Sequence, residues 1–400
     1  MPFSTGPGTS WRLPRELGLN TSTANTWAGR LFISWQTVRR YAFEMRGEGE
    51  KLAGAFSEQD QLPDDCFRAP VAREFVHRRA MAEVFLTGVR YHADRTYTVW
   101  AQWPRWHVFY GSQRDRFDSA LIVETLRQLT VLIAHAQLGV PLGMQFLMPE
   151  MSVSMTPGAT QDPSYPADVT AEVHISEVRG TGQGIAAFRS TATFLVDGHR
   201  IAEGTARARI IDPVAYNRIR SRHRITGEHH EVPPVSAARV GHASPWNVVL
   251  GESDAAGCWP LRVDISNPIL FDHPLDHIPG VLLIEAVRQA LRLAVEDPGL
   301  DFATLEAQFT SIAELTDEAK VVLESLTNGA ESMAAVASIQ VNGRVLMRAV
   351  TGAKPMKPPL RRADQDFQWK PVRTRSAGPH EYLHARSQAA GWPTSPQSAE

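Results

Sequence analysis

The sequence predicts an α+β fold made twice, in which each of two long helices is wrapped by a curved antiparallel sheet. Three observations carry this. "LIVETLRQL" (121–129) and "LLIEAVRQA" (282–290) share Leu, Glu, Arg and Gln in register, 161 residues apart. Both are apolar nearly all round, and a helix without a wide polar face must be buried. After each, the pattern changes to short alternating runs separated by turn signals, which is how antiparallel strands read.

The elements follow in order. "TYTVWAQWP" (96–104) and "WPLRVDISNP" (259–268) each read as a strand ending at proline ahead of the helix. Further upstream, "VHRRAMAEVFL" (76–86) aligns with "VGHASPWNVVL" (240–250) in two valines and a leucine. Downstream, the first copy has "DVTAEVHISEVRG" and "GIAAFRSTATFLVDGHRIAEGTARARII", with Asp197-Gly198 as a hairpin turn. The second has "EAKVVLESLTNGAESMAAVASIQVNGRVLMRAV", with turns at Asn328-Gly329 and Asn342-Gly343. Each copy is then a strand, a long helix, and three or four antiparallel strands. This is the hotdog arrangement, and two copies make a tandem, or double, hotdog. Pairing the two sheets edge to edge removes exposed edges. The expected boundaries are an extension (1–70), repeat 1 (71–215), a linker (216–237), repeat 2 (238–352) and a flexible tail (353–400). Residues 27–45 carry a thin apolar stripe that reads as a helix. Proline-rich residues 156–166 absorb the extra length of the first copy.

Composition bounds the function. The 400 residues are 43% hydrophobic and 21% charged with a net charge of −2, ordinary for a globular protein and unsuited to gripping nucleic acid or an anionic membrane. Cys66 and Cys258 are the only cysteines, so no thiol-rich metal site or disulfide framework is expected. The start has no apolar core behind basic residues, and no run reaches the ~20 apolar residues that span a bilayer. A cytoplasmic protein is expected, with oligomeric state open. "GTGQG" (180–184) lies between strands and is no phosphate loop. His229-His230 is an isolated pair in the linker. The basic stretch at 361–375 reads as solvated tail.

Chemistry concentrates on the helices. Positions i, i+3 and i+4 share a helix face, so Glu285, Arg288 and Gln289 line up, as do Glu124, Arg127 and Gln128. Two roles fit. Each Glu bonds its own Arg and fixes the packing, or it faces a cleft between the copies as a base or orienting group. "FDHPLDHIPG" (271–280) adds His273 and His277 before a Pro-Gly helix start. Backbone N–H groups near Gly280 are free to hold an oxyanion there. His107 is the counterpart of His273 in copy one. Across the two copies, His273 is expected to meet Glu124, or His107 to meet Glu285.

The segment 267–290 resembles the active-site stretch of hotdog β-hydroxyacyl-ACP dehydratases, with His273 and Glu285 in the catalytic positions. A closer resemblance is to the A-factor biosynthesis (AfsA-type) family of γ-butyrolactone synthases. It is carried in order by "VHRRAMAEVFLTGV", "AQWPRWHVFY", "ETLRQLTVLIAHAQLGVPLGMQFLM" and "LFDHPLDHIPGVLLIEAVRQA", and covers roughly residues 71–352. That resemblance implies transfer of a β-ketoacyl group from acyl carrier protein to the hydroxyl of dihydroxyacetone phosphate. The acyl group rides on the carrier's phosphopantetheine, with no further cofactor and no metal. It implies functional roles for Glu124, Glu285 and Arg288. The expected site is therefore Glu285, His273 and Glu124 as catalytic groups, with Arg288, Arg127, Gln289, Gln128, Gly280 and His107 binding substrate. A hotdog dehydratase or thioesterase, and an acyl- or lactone-binding protein without turnover, are the alternatives.

Overall fold

The computed structural model describes residues 66–353, apart from 112–115, 163, 182–183, 222–231, 254 and 330–331, all within one compact unit (Asp65–Glu400). The expected helix at 27–45, His229-His230 and the tail beyond 353 lie outside the described residues.

The first copy runs β1 (Leu86–Tyr91), β2 (Thr96–Trp103), α1 (Ser119–Ala136), β3 (Gln145–Met155), β4 (Ala167–Thr181), β5 (Gly184–Val196) and β6 (His199–Ile211). A short helix, α2 (Pro213–Arg220), follows it. The second copy runs β7 (Cys258–Pro260), α3 (Gly280–Val295), β8 (Thr304–Phe309), β9 (Lys320–Asn328), β10 (Met333–Val341) and β11 (Arg344–Ala353). Eleven strands form one sheet in the order β1-β2-β4-β5-β6-β3-β8-β11-β10-β9-β7. The copies join through an antiparallel β3–β8 pair, Glu150 opposite Gln308 and Ser154 opposite Thr304. Two edges thus vanish into the middle of the sheet.

The turns follow from their residues. Asp197-Gly198 and Asn342-Gly343 all have positive φ, as a two-residue hairpin turn compatible with strand twist requires. The strand expected over 259–268 is shorter than its pattern. Only Cys258–Pro260 pairs with β9, and Asn267 draws the rest into a tight loop by accepting the Ile269 and Leu270 N–H groups. The longer first copy is due less to the proline-rich stretch than to longer strands: β4 has 15 residues where β9 has 9.

Both central helices pack against the sheet, and their burial matches their apolar sequences. From Ser119 to His135 every residue of α1 is buried except Arg127. In α3 everything from Leu282 to Leu293 is buried, while Gly280 and Val281 at its start keep some exposure. These exceptions all line one cavity. β3 makes room for it by losing register with β6 between Leu147 and Glu150. Pro149, which has no N–H to give to a ladder, lies in that irregularity.

Candidate functional site

The cavity has a volume of about 420 Å³, within the range of small-molecule sites. It lies where the copies meet. Its walls come from β3, the end of β8, the start of α3, the "FDHPLDHIPG" loop and the turn at His77-Arg78. Three of the expected site residues line it: His273, Gly280 and Arg127. Most of its remaining surface is apolar, including Val131, Phe146, Leu270, Ile278, Leu283 and Phe309.

Gly280 begins α3 with no side-chain cap, because Pro279 precedes it. The N–H groups of Gly280 and Val281 have no partner among the described residues, and both residues line the cavity. A Cβ at 280 would stand 3.2 Å from the Phe309 ring, so glycine lets the helix start close against β8. His273 Nδ1 lies 3.2 Å from the buried Asp272 carboxylate, which in turn accepts the Arg79 and Ala80 N–H groups. Aspartate thus fixes the imidazole with Nε2 free. His277 is held the same way, Nδ1 to Asp276 at 2.7 Å, and Tyr216 and Arg220 of α2 anchor that aspartate.

Arg127 spends its Nε and Nη2 on Glu124, and Nη2 also donates to the Val76 carbonyl, leaving Nη1 uncommitted among the described residues. Arg78 holds the same Glu124 carboxylate at 2.7 Å. Arg209, exposed on β6, also lines the cavity and has no ionic partner among the described residues.

The other expected site residues lie outside the cavity, each engaged by hydrogen bonds or ion pairs to other parts of the fold. Glu124 is fully buried. Burial raises its pKa, but Arg127 and Arg78 outweigh this and hold it at about 2, as the counter-ion of the two guanidinium groups. Glu285 is buried between His242 Nε2 (2.8 Å), Arg288 and Gln289. Burial pushes its pKa up, and Arg288 and His242 pull it well below the carboxylate range. Arg288 binds Glu285, Asp118 (2.7 Å) and Asp301 (3.3 Å) at 1% exposure, which leaves it unavailable to a phosphate. Gln289 accepts the Val249 N–H and donates to the Asn247 carbonyl. Gln128 does the same with Phe85 and Glu83. The duplicated glutamines therefore pin the strand-like segments that the sequence aligned, 76–86 and 240–250. His107 accepts the Phe109 and Tyr110 N–H groups and contacts Glu83, away from the cavity. The expected cross-copy pairs are replaced by His273–Asp272 and His242–Glu285.

Besides Arg78, Arg209 and Asp272, two further polar cavity residues escaped the sequence reading. His77 takes a left-handed backbone (φ 53°) where the aligned residue in copy two is Gly241 (φ 74°). A bulky residue there is uncommon. Its Nε2 lies 2.9 Å from His135 Nε2, and His135 Nδ1 donates to the Val140 carbonyl. The chain of donors makes His77 Nε2 the donor and its Nδ1 an acceptor. Burial, with His135, Arg127 and His273 nearby, lowers its pKa to about 3. Tyr110 also lines the cavity, and its buried hydroxyl has no partner among the described residues. Neither stood out by spacing, although the alignment of His77 with a glycine was a usable signal.

The A-factor biosynthesis hotdog domain model matches residues 59–212 and 224–355, most of the chain and once per copy. The chain belongs to the A-factor biosynthesis hotdog family. Curated relatives include the 2-oxo-3-(phosphooxy)propyl 3-oxoalkanoate synthase of Streptomyces virginiae, 39% identical over 61% of this chain and 84% of that protein. The enzyme of the same name from Streptomyces coelicolor is 36% identical over 61% of this chain and 77% of its own length. Among solved structures, a 12:0-ACP thioesterase from Umbellularia californica is 10% identical with a TM-score of 0.41, covering 65% of this chain and 94% of that one. No helix among the described residues is long and apolar enough to cross a membrane.

Proposed function

We propose that this family member transfers a 3-oxoacyl group to the hydroxyl of dihydroxyacetone phosphate, giving the 2-oxo-3-(phosphooxy)propyl ester for which its relatives are named. The observation that carries this reading is the joint placement, in one cavity, of free helix-start N–H groups, an aspartate-held imidazole and guanidinium groups. The apolar wall accepts the acyl chain. The thioester carbonyl lies over Gly280 and Val281, whose N–H groups stabilise the developing oxyanion. His273 Nε2 takes the proton of the attacking hydroxyl as its oxygen bonds to the carbonyl carbon. The tetrahedral intermediate collapses, the C–S bond breaks, and His273 returns the proton to the thiolate. A guanidinium group of the cavity wall, Arg209, holds the phosphate. The donor is the phosphopantetheine thioester of a cytoplasmic acyl carrier protein. The ester places an acidic methylene beside the acceptor ketone, so ring closure towards a butenolide is open to it.

The test is mass spectrometry of products from a 3-oxoacyl thioester with and without dihydroxyacetone phosphate. A phosphorylated ester that requires both substrates supports the reading. Free acid or an enoyl product formed without the acceptor would move the protein to the thioesterase or dehydratase class. Binding without turnover would make it a sensor.

A further inference from the structure

The two copies are built alike, yet one site is filled and the other is open. Residues 118, 119, 120 and 127 align with 279, 280, 281 and 288 in the repeat. At the start of α1 the first two N–H groups are taken by carboxylates: Ser119 N–H by Asp301 (2.9 Å) and Ala120 N–H by Asp118 (2.8 Å). The same two carboxylates meet Arg288 Nη1 from the opposite helix. One pair of helix-start N–H groups and one arginine thus converge on one anionic patch. At the start of α3 the corresponding donors are present, and no carboxylate among the described residues reaches them. Pro279 replaces Asp118, and among the described residues the Gly280 and Val281 N–H groups are unpartnered and Arg127 keeps its Nη1 uncommitted. All three donor residues line the cavity.

Resting on the acyl-transfer reading, we infer that Arg127 serves the acyl half of the site: its Nη1 and the Gly280 and Val281 N–H groups bind one substrate oxyanion, in the place that the Asp118 and Asp301 carboxylates occupy in the sister copy. Arg127 is then a catalytic residue acting on the tetrahedral intermediate. The phosphate falls to Arg209, which no carboxylate among the described residues engages. The sister copy carries an internal mimic of the bound anion and is closed to substrate.

The experiment uses the full chain and measures ester formation at varied dihydroxyacetone phosphate, together with slow hydrolysis of the thioester without acceptor. Arg127→Lys keeps the charge near Glu124 but loses the guanidinium geometry. It should lower kcat by about 100-fold, as loss of an oxyanion donor does, and lower hydrolysis in step, with the acceptor KM little changed. Arg209→Ala should raise the acceptor KM and leave hydrolysis alone. Pro279→Asp rebuilds the copy-one cap. It should abolish both reactions while the thermal midpoint holds or rises. A raised acceptor KM with normal hydrolysis in Arg127→Lys would overturn the inference, as would wild-type turnover in Pro279→Asp. A wild type that only hydrolyses thioester refutes the acyl-transfer reading, and the hydrolysis arm still decides the role of Arg127. A wild type without any turnover overturns both.

Discussion

Glu285→Gln separates a structural helix carboxylate from a catalytic one. Oε1 of Glu285 accepts from His242 and Gln289, and Oε2 accepts from Arg288 Nε at 2.8 Å. An amide supplies one acceptor oxygen and an NH2 that cannot accept, and it removes the charge beside Arg288. Breaking a buried pair by removing one partner costs about 3–5 kcal/mol. Arg288 keeps Asp118 at 2.7 Å and Asp301 at 3.3 Å, so the lower end, about 3 kcal/mol, is expected. At about 2.1 cal/mol/K of unfolding entropy per residue, that lowers the thermal midpoint of a unit of this size by roughly 4–5 °C. Below the transition, kcat/KM of the folded protein should stay within about threefold of wild type, because Glu285 does not line the cavity. Differential scanning fluorimetry and steady-state kinetics on one preparation measure both quantities. An unmoved midpoint with kcat reduced by about 100-fold would make Glu285 a catalytic group and refute the reasoning.

Further outcomes follow from the same geometry. His77 has a pKa lowered to about 3 in the fold and near 6.5 unfolded, so the unfolded chain binds more protons between those values and stability falls as pH drops through that window. Denaturant titrations from pH 7 to 4 should show a shallower loss of stability in His77→Gln than in wild type. Glu124, held at about 2, stabilises the fold above its unfolded pKa and loses that contribution as pH falls towards 2. Glu124→Gln should therefore flatten the acid limb below about pH 4.5, measured by circular dichroism. Tyr216→Phe removes hydrogen bonds to the Asp276 carboxylate and should cost about 1.5–3 kcal/mol in urea unfolding.

The repeat made the fold legible. Two copies of one helix, glycine-bearing turns at 197–198 and 342–343, and β2 all stand where pattern and turn chemistry put them. The site was legible at the Pro279-Gly280 helix start, in the histidine loop before it, and at Arg127 on the polar face of α1. The rest of the helix polar faces misled for a definite reason. Spacing of i and i+3 shows that Glu285 can reach Arg288, yet Asp118, Asp301 and His242, which close that network, come from other elements. Glu124 is sealed likewise by Arg78, 46 residues away. The aspartate that orients His273 is its immediate chain neighbour, visible in "DH" but without spacing that marks it as a partner. His77 owes its state to His135 across the fold and to a backbone conformation no residue pattern announces.

The claim that one cavity serves the whole chain is tested most directly by the stoichiometry of dihydroxyacetone phosphate binding, measured by isothermal titration without acyl donor. One site per chain, weakened at least tenfold in Arg209→Ala, is the predicted result. Two equivalent sites per chain, or affinity unchanged in that variant, would contradict it.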